Sequence, residues 1–303
     1  MALTSLQSLS HAKPAAVALG NFDGVHLGHR RILKELQEDA KLRGLDAVAL
    51  TFDPHPRHFL YPDQKAPLLT PLREKETLLR DCGVEPATLV FNSELANLSA
   101  ADFASEVLIR RLHGELFLLG PGHRFGHKAK GDIALLRSIL GADRVREIPP
   151  VIDETGELIS SSTIRRYLEA GQVEHANRML GRPYRLCGEV VHGQERGKQL
   201  GFPTANIKLE DERKAMPAFG VYGGTAFIGN KKFSAIGNIG LRPTFAGIKA
   251  PSVEVHVIGL DEDLYGQQMV FELLHYLRPE KAFDSLESLR AQISSDVAAW
   301  KAF

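Results

Sequence analysis

The chain changes its hydrophobic rhythm once, near residue 181. Before that point, short unbroken apolar runs alternate with stretches whose apolar positions recur at helical spacing. The runs Ala15–Leu19, Ala47–Phe52, Thr88–Phe91, Leu116–Leu119 and Val145–Ile148 predict strands. Helices are predicted over His29–Lys41, Leu72–Leu79, Ala101–Leu112 and Asp132–Leu140, the first with Ile32, Leu33, Leu36 and Ala40 on one face. Strands that are apolar at nearly every position, alternating with helices, predict an α/β domain with a parallel, Rossmann-like sheet covered on both faces. Ligands of such sheets bind beyond the carboxyl ends of the strands.

After Gly181 the helical period fades and alternating runs take over: Leu186–His192, Val221–Ile228, Lys232–Ile239, Val253–Ile258 and Met269–Leu277. Short alternating strands with glycine-marked turns, Gly229-Asn230 among them, predict an antiparallel barrel or sandwich. One helix closes the chain. Asp284 with Glu287 three residues on is the expected cap, and Leu286, Leu289, Ile293, Val297 and Trp300 the expected buried face. The boundary is expected at Gly181-Arg182-Pro183, giving domains 1–181 and 182–303 with residues 161–180 as a bridge.

Composition narrows the classes. Lys plus Arg and Asp plus Glu are 37 each among 303 residues. No global field therefore favours nucleic acid or an anionic membrane, and anion binding must come from local sites. Two isolated cysteines, Cys82 and Cys187, make neither a zinc site nor a disulfide framework and are expected to be packing residues. With no leader pattern and no membrane-length apolar run, the expected location is the cytoplasm, as a monomer or weak homo-oligomer.

Three segments of the first domain carry chemistry. Gly20-Asn21-Phe22-Asp23-Gly24-Val25-His26-Leu27-Gly28-His29 leaves the first strand and enters the first helix. Backbone N–H groups and the positive helix end favour an anion there, and two imidazoles can donate to phosphate oxygens. Thr51-Phe52-Asp53-Pro54-His55-Pro56 leaves the second strand; two prolines stiffen it, and Phe52 or Pro56 can pack on a flat ring. Ser160-Ser161-Ser162-Thr163-Ile164-Arg165 opens a helix, where hydroxyls serve as caps and, with Arg165, as a phosphate cradle.

In the second domain, Gly193, Gly197 and Gly201 space a loop that runs into Gly201-Phe202-Pro203-Thr204-Ala205-Asn206. If this segment is extended, Thr204 and Asn206 point the same way and offer oxygen ligands for Mg²⁺ on phosphates. Glu254 lies between Val253 and Val255. If the valines are core, Glu254 faces outward as a surface carboxylate; if it faces a ligand cleft, it can act as a base.

The segments 20–29, 51–56 and 160–165 resemble the adenylyltransferase module of prokaryotic bifunctional riboflavin kinase/FAD synthetases. Gly201–Asn206, Gly237–Phe245, Val253–His256, Asp263–Gly266 and Leu277–Glu280 resemble the riboflavin kinase module in the same order. The resemblance implies a six-stranded Greek-key barrel with a C-terminal helix for the second domain. It implies that the second domain phosphorylates riboflavin to FMN with ATP, releasing ADP, and that the first adenylylates FMN to FAD, releasing pyrophosphate. In the first domain it places His26 and His29 at the α-phosphate, Gly20, Asn21, Phe22, Asp23, Gly24 and Gly28 along the nucleotide, and Ser161, Ser162 and Arg165 at the outer phosphates. Phe52, Asp53, His55 and Pro56 would meet the flavin. In the second it makes Glu254 the base, Thr204 and Asn206 the Mg-ATP ligands with Gly201 and Pro203 beside them, and Arg278 a flavin or phosphate contact. One loop departs from the family: Gly120–Gly126 has Gly122 and His123 where an acidic or amide residue and an aromatic are usual. The alternative it leaves is a riboflavin kinase with an impaired adenylyltransferase.

Overall fold

A computed structural model describes residues 4–64, 66–193, 201–243 and 249–303. It divides into two compact units between Ser161 and Ser162.

The first unit is built on five parallel strands: β1 (Ala15–Leu19), β2 (Asp46–Asp53), β3 (Glu85–Val90), β4 (Gly114–Leu119) and β5 (Val145–Glu147), in the order β3-β2-β1-β4-β5. Every residue of β1 is buried. Alternation sends Val17 and Leu19 into one core with Leu50, Phe117 and Leu119, and Ala16 and Ala18 into another with Ala49 and Leu118. That double burial is why the strands read as unbroken apolar runs. Helix α1 (Leu27–Arg43) closes on Gly44, which is left-handed at φ 67°. It is followed by α2 (Pro56–Leu60), α3 (Leu72–Asp81) and α4 (Ser93–Asn97). The helix expected over 101–112 begins as α5 (Ala100–Asp102) and then widens into π geometry over Phe103–Arg111. The wider turn puts Phe103, Val107 and Leu108, spaced four and five apart, on one buried face. Helix α6 (Ile133–Leu140) leads to β5.

The second unit begins inside α7 (Ser161–Glu169) and continues through α8 (Val173–Leu180). By contact these helices group with the barrel: Asn177 donates to the Leu273 carbonyl at 2.8 Å and accepts from the Tyr184 N–H at 2.7 Å. The barrel consists of β6 (Tyr184–Val191), β7 (Ala205–Leu209), β8 (Gly220–Ile228), β9 (Lys231–Pro243), β10 (Lys249–Val257) and β11 (Gln268–Arg278). It closes in the order β10-β7-β6-β11-β8-β9, every pairing antiparallel. Gly229-Asn230 forms the tight turn between β8 and β9.

The closing helix, α9 (Leu286–Lys301), corrects two expectations. Its cap is Ser285, not Asp284: Ser285 Oγ accepts from the Ser288 N–H at 3.1 Å and Ser288 Oγ from the Ser285 N–H at 3.3 Å. The helix starts at Leu286, so only Ser285 stands in the capping position. The expected apolar face holds at Leu289, Ile293, Val297 and Trp300, all half-buried, but Leu286 is 55% exposed. The one fully buried residue of α9 is Asp296. Cys82 and Cys187 are half-buried and not joined in a disulfide.

Candidate functional site

Strand β1 is where the strand order reverses, and the chain leaving it forms the first site. His26 caps α1: its Nδ1 accepts the His29 N–H at 3.3 Å. A neutral His26 that accepts at Nδ1 carries its proton on Nε2, where it is a donor. Gly28 permits the capping pose, because a Cβ there would stand 3.1 Å from the His26 ring. The His26 and His29 rings stack at 3.7 Å between centroids, 20° from parallel. His29 is held well below the ordinary imidazole pKa, first by burial, then by His26 and Lys75. The first turn of α1 holds no acidic residue, so the helix end is left positive.

The rest of the loop is pinned. The buried Asp23 carboxylate accepts from the Thr70 N–H at 3.0 Å, and the Gly24 N–H donates to Thr70 Oγ1 at 2.9 Å. Ser161 Oγ donates to the Asp23 carbonyl at 2.7 Å. Asp23 is thus an anchor of the loop, and Phe22 is fully buried with its ring edge-on to His29. Gly20 ties back to the Leu50 carbonyl at 3.2 Å, and Asn21 is exposed.

Beside the loop, at the same strand ends, a cavity of about 870 Å³ is walled by Phe52, Pro56, Phe59, Phe91, Phe103 and Phe125, with Asn21 at its margin. Phe52 and Pro56 therefore sit where a flat ring can stack. His55 does not line it; its Nδ1 caps α2 by accepting from the Arg57 N–H at 3.1 Å. Asp53, half-buried, lies off the wall and acts electrostatically on Lys75. The departing positions Gly122 and His123 do line the cavity, and burial lowers His123 to about 4, so it is neutral. Ser162 and Arg165 belong to the second unit.

The second unit holds a cavity of about 300 Å³ between the barrel and α9. Register explains its lining. Glu254 pairs with Asn206 on one side and Asn238 on the other, Asn238 with Val221, and Val221 with Arg278. One lateral row thus crosses five strands, and all five residues face the cavity. Both branches of the Glu254 reading meet here: Val253 and Val255 are core, and the outer face that carries Glu254 is itself the cavity wall. Thr204 lines this cavity and an adjacent one of about 240 Å³ bounded by Pro203, Asp263 and Tyr265. Gly193 lies against Asn206, where any side chain would collide with the amide. Gly201 is exposed, and the Pro203 carbonyl is met by His256 Nδ1 at 2.8 Å. Gly197, Thr244 and Phe245 lie outside the described residues.

Two participants escaped the sequence reading. Asp296 grips Arg278 in a forked ion pair, Nε to Oδ1 at 3.0 Å and Nη2 to Oδ2 at 2.8 Å, and Gln292 steadies the carboxylate at 2.9 Å. Lys75, buried on α3, donates to Thr51 Oγ1 and the Phe52 carbonyl at 3.0 and 3.2 Å. Each stands at helical spacing on an apolar face, Lys75 four before Leu79 and Asp296 three after Ile293, and that placement was the available signal.

Comparison with known proteins finds two matched modules. Residues 8–163 match the family model described as FAD synthetase, and residues 180–303 the one described as riboflavin kinase. The bifunctional riboflavin kinase/FMN adenylyltransferase of Escherichia coli K12 is 37% identical over 300 residues, 97% of this chain and 95% of the relative. That of Bacillus subtilis is 34% identical over 93% of this chain and 90% of its own. A crystal structure from Streptococcus pneumoniae, titled a macrolide-efflux protein, superposes with a TM-score of 0.90 at 31% identity, covering 99% of this chain and 98% of that one. Among the described residues of this chain no helix is long and apolar enough to cross a membrane. Two modules in sequence order, matched over nearly the whole chain, place this protein in the bifunctional riboflavin kinase/FMN adenylyltransferase family.

Proposed function

We propose how this riboflavin kinase and FMN adenylyltransferase divides its work between two sites. Kinase chemistry is assigned to residues 182–303. Riboflavin takes the cavity under α9, flanked by Arg278, and the ATP phosphates reach Thr204 from the neighbouring cleft beside Gly201 and Pro203. Glu254 accepts the proton of the ribityl 5′-hydroxyl as its oxygen bonds to the γ-phosphorus; the bond to the β-phosphate oxygen breaks and ADP leaves. The observation that carries this assignment is the pairing of Glu254 with Asn206 and Asn238 on a cavity wall shared with Thr204. A hydroxyl, an amide and a carboxylate are a donor set that fits Mg²⁺ already carried by phosphates, with Thr204 and Asn206 as its protein ligands. When bound, the ion neutralises phosphate charge.

Adenylyl transfer is assigned to residues 1–181, with Ser161 serving the outer phosphates. FMN stacks its flavin in the aromatic cavity, and its phosphate oxygen attacks the α-phosphorus of ATP as the bond to the β-phosphate breaks. His26, through Nε2–H, and His29 donate to the α-phosphate oxygens, and pyrophosphate leaves past the amino end of α1. The composition supports a cytoplasmic protein without nucleic-acid partners.

The test is chromatography of flavins after incubating the chain with riboflavin, ATP and Mg²⁺. FMN followed by FAD, with ADP and pyrophosphate released, is the expected result. FMN alone would mean that Gly122 and His123 impair the first site.

A further inference from the structure

A buried cation lies among the ends of β1 and β2. Lys75 is 6% exposed, and its two hydrogen bonds go to Thr51 Oγ1 and the Phe52 carbonyl. Thr51, itself fully buried, donates its own hydroxyl hydrogen bond to the Asn21 carbonyl at 3.1 Å. The relay thus joins α3 to both loops that wall the nucleotide crevice. Five residues earlier, Thr70 takes hold of the same β1 loop at Asp23 and Gly24. Phe22, between these two anchors, and Val25, just past the second, sit at φ 49° and 39°, and neither is glycine. Backbone strain of this kind persists only where the surroundings over-determine it. The blander reading is a lysine that merely satisfies strand-end carbonyls. It does not account for the bond to Thr51, whose hydroxyl is the link to the loop leaving β1.

We propose that Lys75 is a positioning residue for adenylyl transfer, locking the loops that leave β1 and β2 against each other and setting a fixed positive charge behind the His26–His29 pair. The proposal rests on the assignment of that pair to ATP. Charges around the site come from several elements. His26 faces His29 from the amino end of α1 and Lys75 from α3; Asp23 of the loop, Asp53 of β2 and Glu76 of α3 in turn act on Lys75. Burial, His26 and Lys75 all oppose a proton on His29, so that ring meets ATP as a neutral donor.

The experiment uses the full chain with Lys75→Met, Lys75→Arg and Thr51→Val. It reads steady-state FAD formation from FMN, FMN formation as an internal control, and the titration of the His29 ring by NMR. Lys75→Met should lower kcat/KM for ATP on the order of 100-fold, leave FMN formation unchanged and move the His29 titration to higher pH. Lys75→Arg, which keeps the charge, should leave the His29 titration in place. Thr51→Val, which cuts the relay but not the charge, should raise the KM for ATP without moving that titration. A Lys75→Met protein with the parent KM for ATP, or with an unmoved His29 titration, would overturn the proposal. So would a Thr51→Val protein with an unchanged KM. If the parent chain forms no FAD, the ATP assignment fails instead, and the titration still decides the electrostatic role of Lys75 because it needs no nucleotide.

Discussion

Two stacked imidazoles repel each other as cations; His26 serves as the cap of α1, while burial, His26 and Lys75 all oppose a proton on His29. His26 is fixed by the His29 N–H, so the residues of the pair hold each other in register. His29→Ala should therefore abolish FAD formation while FMN formation continues. Glu254→Gln should do the reverse, slowing FMN formation by roughly 100-fold to 10,000-fold while added FMN is still converted to FAD. Both are read by flavin chromatography with each substrate supplied separately, and loss of both activities from either change in a folded protein would refute the division of labour. The histidines and Glu254 were legible because their motifs are local. Lys75 and Asp296 were not: a charge on an amphipathic helix reads as a solvated one until the partner, 24 or 18 residues away along the chain, is seen in space.

Among the elements, the five parallel strands were readable because burial on both faces leaves no polar position to blur them. β7 was harder, since its five residues follow directly on a loop and carry Asn206 and Lys208 among apolar neighbours. The cap of α9 was misplaced by one residue because Asp284 and Ser285 are both good caps, and either has a suitable partner three residues on. Helix α9 matters beyond its packing: it brings Asp296 to Arg278 on the cavity wall. The side chains are 6% and 20% exposed, a buried carboxylate on a half-buried guanidinium. Asp296→Asn keeps the volume and removes the charge. The second unit should lose about 3 kcal/mol in denaturant unfolding, and the KM for riboflavin should rise while the KM for FMN in adenylylation stays constant. An unchanged KM for riboflavin would make the pair purely structural.

The whole molecule joins two units that answer pH in opposite directions. In the first, burial depresses His29 and His123 below the ordinary imidazole value, His123 to about 4. The unfolded chain binds more protons through that window, so their contribution is complete above pH 6.5 and is lost as pH falls toward 4. In the second, burial raises Tyr222 and Tyr276 above 10.0. There the contribution is complete below pH 10 and lost as pH rises. Lys75, depressed from 10.5 in the first unit, acts against alkaline loss there. Pre-incubation across the pH range followed by assay at neutral pH should remove FAD formation first in acid and FMN formation first in alkali. Simultaneous loss at both extremes would show that the units do not unfold separately.

The row from Asn206 through Glu254, Asn238 and Val221 to Arg278 has a consequence for how this kinase can vary. A closed barrel has no free edge to absorb a slipped strand, and a one-residue slip turns every side chain of that strand to the other face. A substitution in the row alters one contact. A single-residue deletion within β9 or β10 would carry Asn238 or Glu254 into the core and push a core residue into the cleft. Length changes among functional relatives should therefore gather in the turns between strands, while the spacing of these residues from the strand pairings on either side stays constant.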